Sequence, residues 1–299
     1  MCERERRRVG AMAFDELMGL TNRLLTSAQA LAAVTALLRL DELGVQGDPA
    51  VRAQLERVVD ALGVGGLDEL DASERSVLVS FARSYLGQAV DLVENPERAG
   101  AWGYIDPVVL RAQGSASAVV ARLIAGAGLG SPDARILDVG TGVAGLAVAL
   151  CSTFPNATVV GLDPWEPSLA IARENVADAG LGNRITLLTT PVQSFADAEG
   201  FDLVWLPAFF IPENVLDAAI EGILLVTRPG GTLVVGARYG VQDDALVSAV
   251  DDLFTVRSGG SIAYPDDLIT RLERAGFADV REIERTWEAP LRLVAARRA

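Results

Sequence analysis

The sequence predicts an α/β protein in which a doubly wound, seven-stranded and mostly parallel sheet follows an all-helical N-terminal domain. Three observations carry this expectation. Up to about residue 130 the apolar residues recur at helical spacing, with few β-branched clusters. From Ala134 onward short apolar runs alternate with helical stretches, the pattern of parallel strands joined by crossover helices. Between the first of those runs and the helix after it lies a glycine-rich loop. Hydrophobic residues make up 50% of 299, enough to bury one large core or two modest ones.

In chain order, a first helix runs from Phe14 through Leu17, Leu20, Leu24, Leu25 and Leu31 to Leu40, and a second covers Val51–Leu62. A third runs from Ser73, as N-cap with Glu74 in the first turn, to about Val93. After Asn95-Pro96 comes a loop bearing Trp102 and Tyr104, then helices at Pro107–Ala112 and Ser115–Ala125. The glycine-rich stretch from Gly126 to Pro132 reads as a linker. It separates a helical domain, 1–130, from a second domain, 131–299. In the second, strands are expected at Arg135–Val139, Thr158–Leu162, Ile185–Leu188, Leu203–Leu206, Thr232–Gly236, Val280–Arg285 and Leu291–Ala296. Helices fall between them at about 144–153, 166–179, 213–226, 243–253 and 265–275.

Composition removes much familiar chemistry. The chain has no His, and every one of its 26 basic residues is Arg, because Lys is absent as well. Imidazole-based nucleophile systems and His-ligated zinc are therefore excluded, as are Schiff-base lysines and the Walker lysine. Two cysteines, Cys2 and Cys151, are too few for an iron–sulfur cluster or a Cys₄ site, and no cluster of carboxylates asks for a metal. A net charge of −14 repels phosphate backbones, so nucleic acid is not an expected partner. No uninterrupted apolar stretch of the length of a membrane span occurs, so no membrane is expected and a cytoplasmic, reduced setting is.

The glycine loop reads Asp138-Val139-Gly140-Thr141-Gly142-Val143-Ala144-Gly145. Its glycines let a ligand approach the backbone at a helix start, and by themselves they also match a dinucleotide fingerprint. Asp138 separates the two readings: a carboxylate at the strand end suits a cationic ligand and opposes a pyrophosphate. The second strand ends in Asp163, which can hold ribose hydroxyls in either case.

With these features the sequence resembles the class I S-adenosylmethionine-dependent methyltransferases over about residues 134–297. Asp138-Val-Gly140-Thr-Gly142 is similar to the first motif of that family, and Asp163 to its ribose-binding acid. Phe201-Asp202-Leu203-Val204 resembles the fourth-strand motif, and Arg228-Pro229-Gly230-Gly231-Thr232-Leu233 the turn into the fifth strand. Leu272-x-x-Ala275-Gly276-Phe277-x-x-Val280 resembles the final helix-to-strand passage. The resemblance implies a Rossmann-like fold with S-adenosylmethionine as cofactor. Gly140, Thr141 and Gly142 would then flank its methionine part, Asp138 would anchor the ammonium directly or through water, and Asp163 would bind the ribose. Pro164 and Trp165 would lie against the adenine, edged by Val192 and Gln193, with Leu206 nearby on the fourth strand. The third glycine of the family pattern is Ala144 here, and Pro191 replaces the acid often found after the third strand.

For the acceptor, the aromatic run Trp205-Leu206-Pro207-Ala208-Phe209-Phe210-Ile211-Pro212 after the fourth strand offers an apolar wall for a planar molecule. It is similar only in outline to the loop of amino-group methyltransferases, since no Asp or Asn precedes the proline. Trp102, Tyr104 and Gln113 are the expected contribution of a helical lid, which would exclude water from methyl transfer. Without His, candidate bases are Asp106, Glu213, Tyr239 and Tyr264. The expected reaction is methylation of a small, natural-product-like metabolite, on oxygen by preference. Two alternatives remain open: sulfonium-assisted cyclisation or decarboxylation without methyl transfer, and an NAD-dependent oxidoreductase. The leucine-rich first helix could also pair between chains in a homodimer.

Overall fold

The computed structural model describes residues 3–63, 65–102, 107–238 and 244–299, divided into two compact units, Met1–Tyr85 and Leu86–Ala299. In the first, helix α1 (Glu3–Glu42) packs with α2 (Pro49–Leu62), tied by Arg52, which donates to Asp41 on α1 at 3.1 Å and to Glu56 at 3.0 Å. α2 begins because Asp48 accepts from the amides of Ala50 and Val51 ahead of Pro49, and it ends at Gly63 in the left-handed region. α3 (Ala72–Glu94) starts two residues earlier than expected. The cap is Asp71 rather than Ser73: Asp71 accepts from the Glu74 amide while Glu74 accepts from the Asp71 amide, a reciprocal capping box.

α1 carries an apolar surface, with Phe14, Leu17, Leu20, Leu24, Leu25 and Leu31 all exposed. The segment Ala13–Glu42 is long and apolar enough to cross a membrane by length and composition, the one such helix among the described residues. A search for unbroken apolar runs passes over it, because polar residues such as Asn22, Arg23 and Thr26 interrupt the leucines.

The second unit opens with the end of α3, then α4 (Pro107–Ser117) and α5 (Val119–Gly126). The two compact units divide at Tyr85/Leu86, within α3. α4 and α5 both pack on the first helix of the α/β region, and Val120, Ala121 and Ile124 join its core. Helical periodicity identifies an element without telling which core it buries its face in.

Seven strands form one sheet in the order β3-β2-β1-β4-β5-β7-β6. β1 (Arg135–Val139), β2 (Thr158–Leu162), β3 (Ile185–Leu188), β4 (Phe201–Pro207) and β5 (Thr227–Arg238) are parallel. β7 (Leu291–Arg297) runs antiparallel between β5 and β6 (Ala278–Glu282). The crossovers are α6 (Gly145–Thr153), α7 (Glu166–Asp178), α8 (Glu213–Val226), α9 (Ala245–Arg257) and α10 (Pro265–Ala275). Two differences from expectation have local causes. β5 begins at Thr227, before the Pro-Gly-Gly turn, because that stretch stays paired to β4 through a register shift between Phe201 and Leu203. β6 lies earlier than Val280–Arg285, because Gly276 in the left-handed region ends α10 and the chain extends at once.

Strand alternation divides the core into two layers. Leu137, Val139, Val204, Leu206 and Val235 face α8 and α10, whereas Ile136, Leu203, Trp205 and Val234 face α5, α6 and α7. Both layers exclude water, so the sheet is a rigid platform for the loops at its carboxyl edge.

Candidate active site

Those loops, from the carboxyl ends of β1 to β4, enclose a cavity of about 450 Å³ at the point where the strand order reverses between β1 and β4. The glycine loop forms its floor and is fixed from several sides. Thr141 N donates to Leu162 O at 2.9 Å, and Gly142 N to Asp163 Oδ2 at 2.9 Å. Asn175 of α7 donates to the Val143 carbonyl at 2.8 Å. Asp163 Oδ1 accepts from Trp165 N at 2.8 Å, so this one carboxylate joins the glycine loop to the loop after β2. Each of its oxygens keeps a further lone pair for a ligand. Burial raises the Asp163 carboxyl, while the Trp165 and Gly142 amides oppose the rise.

Ala144, in place of the third glycine, adopts φ 62°, the left-handed conformation that glycine would take most easily. Gly145 answers a different demand: a Cβ there would lie 2.0 Å from the Gly114 carbonyl oxygen, so α4 rests backbone to backbone on the start of α6. This contact brings Leu110, Gln113, Gly114 and Ser117 over the cavity.

Asp138 stands one layer below the wall. It is fully buried, and its Oδ2 accepts from Thr141 Oγ at 2.7 Å. Gly161, opposite it in the β1–β2 register, leaves the room that Thr141 fills, since a Cβ at Gly161 would meet Thr141 Oγ at 2.8 Å. Asp138 thus reaches the cavity through Thr141, not by direct contact. Burial, opposed by the Thr141 hydroxyl and reinforced by the charge of Asp163, pushes its carboxyl up to about 7.

Of the residues expected from the sequence, Gly140, Thr141, Gly142, Asp163, Pro164, Trp165, Val192 and Gln193 line the cavity, as do Trp102, Gln113 and Phe210. Four others lie off its wall. Trp205 and Leu206 are buried on opposite faces of β4, Pro207 is buried at its end, and Phe209 packs beside Trp205 against Gly236. Trp205 and Leu206 alternate into the two core layers, while Pro207 and Phe209 pack at the end of the strand, so none of the four borders the cavity.

Two of the candidate bases lie away from the cavity. Glu213, exposed on the first turn of α8, pairs with Arg271 of α10. Tyr264, at the start of α10, donates to Asp252 Oδ1 at 2.8 Å. Burial and that carboxylate push its phenol up to about 12, so it holds its proton. Neither borders the cavity. Tyr104, Asp106 and Tyr239 lie outside the described residues. Ile211 and Pro212, at the end of the aromatic run, line the wall as well, and wall residues that sequence reasoning passed over include Leu110, Ser168, Thr190 and Val215. Ser168, five residues after Asp163 on the first turn of α7, had a positional signal; the others had none. No metal-binding group of His, Cys, Asp and Glu occurs among the described residues.

Comparison with known proteins finds a methyltransferase domain within this arrangement. Residues 136–231 match the family model described as a methyltransferase domain. The release factor glutamine methyltransferase of Chlorobaculum tepidum is 39% identical over 165 residues, 54% of this chain and 53% of that protein. The chain spans about half the length of the curated relatives it matches. Among solved structures, the mitomycin 7-O-methyltransferase MmcR superposes with a TM-score of 0.63 at 19% identity, covering 97% of this chain and 100% of that one. Human N-acetylserotonin methyltransferase in complex with SAM gives 0.65 at 16% identity, covering 95% and 98%. The segment 136–231 is a methyltransferase domain, and the fold around it is that of S-adenosylmethionine-dependent methyltransferases with an N-terminal helical domain.

Proposed function

We propose that this protein binds S-adenosylmethionine in the cavity at the β1–β4 edge and transfers its methyl group to a small-molecule acceptor, on oxygen by preference. The observation that carries the reading is Asp163, whose carboxylate lines the cavity while bound to the amides of Gly142 and Trp165. A ribose with two adjacent hydroxyls fits that acceptor pair. The donor set suits the rest of the molecule too: the backbone at Gly140–Gly142 for the methionine part, and Trp165, Val192 and Gln193 for the adenine. Asp138 would favour the ammonium through Thr141.

When bound, S-adenosylmethionine supplies a methyl group activated by the positive sulfonium. The work of this chain is then to orient and to exclude water. α4, resting on α6, covers the cavity with Leu110 and Gln113, and Trp102, Phe210, Ile211 and Pro212 add an apolar flank for a planar acceptor. Asp163 is the single titratable group among the described wall residues. Proton removal therefore belongs to solvent, acting on an acidic phenol or enol, or to Asp106 or Tyr239. The natural-product methyltransferase among the structural neighbours supports the oxygen preference. The exposed leucines of α1 support a homodimer formed through that helix.

The test is calorimetric titration of the protein with S-adenosylmethionine, S-adenosylhomocysteine and NAD, repeated on Asp163→Ala. Binding of both sulfur ligands, weakened more than about tenfold in the variant, is the expected result. Binding of NAD alone would replace this reading by an oxidoreductase. Recovery of unmethylated product with intact cofactor after turnover would replace methyl transfer by a sulfonium-assisted rearrangement.

A further inference from the structure

Arg257, the last residue of α9, is a charged side chain only 5% exposed. Its Nη2 donates to Asp91 Oδ2 at 3.0 Å and to the carbonyls of Asp91 at 3.1 Å and Asn95 at 2.6 Å. Its Nη1 donates to the Arg98 carbonyl at 3.3 Å. Arg98 adds bonds to Asp91 Oδ2 at 2.9 Å and to the Ala101 carbonyl at 2.8 Å, and Ala101 N donates back to Arg257 O at 3.2 Å. A buried guanidinium so engaged ties the carboxyl end of α3, and the loop leading to Trp102, to the end of α9.

The backbone that follows Arg257 reaches another aromatic residue of the wall, Phe210. A Cβ on Gly260 would lie 1.8 Å from the Phe209 carbonyl oxygen and 3.0 Å from Phe210 N, and one on Gly259 would meet Ala101 Cα at 3.1 Å. Ser261 Oγ donates to the Ile211 carbonyl at 2.7 Å. The segment therefore lies between two stretches that are remote in sequence, one carrying Trp102 and one carrying Phe210. Those two rings meet edge to face, with centroids 5.2 Å apart, and both line the cavity.

We propose that Arg257–Ser261 is the positioning element of the acceptor side of the cavity: it sets the mutual placement of Trp102 and Phe210, and through it which planar aromatic acceptors fit. The role rests on reading this cavity as a cofactor and acceptor site. Arg257 acts on the Trp102 side and Gly260 on the Phe210 side, and neither touches the cofactor-binding loops. Their replacement changes recognition of an aromatic molecule without changing recognition of the cofactor.

The experiment uses the full chain labelled with 5-fluorotryptophan, the Trp102 signal being assigned with Trp102→Phe, and 2-naphthol as the aromatic probe. In Gly260→Ala and Arg257→Met the Trp102 fluorine signal is expected to move and the affinity for 2-naphthol to fall about tenfold, while S-adenosylhomocysteine affinity stays within about twofold. Arg257→Lys keeps the charge beside Asp91 but not the fork, and should restore part of the naphthol affinity. It also serves if Arg257→Met fails to fold. An unmoved Trp102 signal, naphthol affinity unchanged or absent in the parent protein, or an equal loss of S-adenosylhomocysteine binding would each overturn the proposal. Absence of S-adenosylhomocysteine binding in the parent protein would instead refute the methyltransferase reading, leaving the movement of Trp102 to be judged separately.

Discussion

Asp138 is the residue whose chemistry reaches furthest beyond its size. Its carboxyl, raised from 3.8 to about 7, binds its proton more tightly in the folded chain than in the unfolded one. Between those two values the folded state carries more protons, so stability falls as pH rises through the window and stays lower above it. Asp138→Asn keeps the acceptor for Thr141 and removes this penalty. The variant should melt higher than the parent at about pH 8, with the difference shrinking toward about pH 5; a constant difference in melting scans across that range would refute the assignment. Ligand binding should show the opposite trend. A cation favours the ionised carboxyl, so S-adenosylmethionine affinity should weaken as pH falls through about 7 in the parent and stay flat in Asp138→Asn, as followed by calorimetry at several pH values.

At the scale of elements, the contact of α4 with α6 decides whether the cavity is covered. Gly145→Ala places a methyl group where the Gly114 carbonyl oxygen now lies, and α4 must move away. The expected outcome is a loss of S-adenosylmethionine affinity of about tenfold with an intact sheet; unchanged affinity by titration would mean that α4 is not a cover. In the N-terminal unit, the Asp71–Glu74 capping box holds the start of α3. Asp71→Ala should lower its stability by about 1 kcal/mol, measurable by denaturant titration of the full chain. The cap also marks how local signals fail. Ser73 and Asp71 are both good capping residues, and the choice depends on which one has Glu three positions on.

For the whole molecule, a net charge of −14 stands against an apolar face on α1. If α1 pairs between copies, Leu17→Glu with Leu24→Glu should shift the protein from dimer to monomer in sedimentation; an unchanged mass would place the leucines elsewhere in its biology. The sequence by itself determined the strand and helix order of the α/β region, because alternation, helical period and glycine punctuation are local properties that packing rarely overturns there. It also determined one wall of the cavity: the glycine loop and Asp163 sit at strand ends, where neighbours along the chain are neighbours in space. The tertiary structure alone decided the rest. Whether Asp138 touches a ligand or props Thr141, and whether Trp205 faces a cavity or a core, depends on the pleat and on elements far away in the chain. The same holds for α4, which joins the second unit through a glycine contact that no periodicity announces, and for α5, which joins it through Val120, Ala121 and Ile124. Glu213 and Tyr264 sit off the cavity, engaged by Arg271 and Asp252 from other elements. Side-chain chemistry is written in the sequence, but its direction is set only when remote surfaces close on one another.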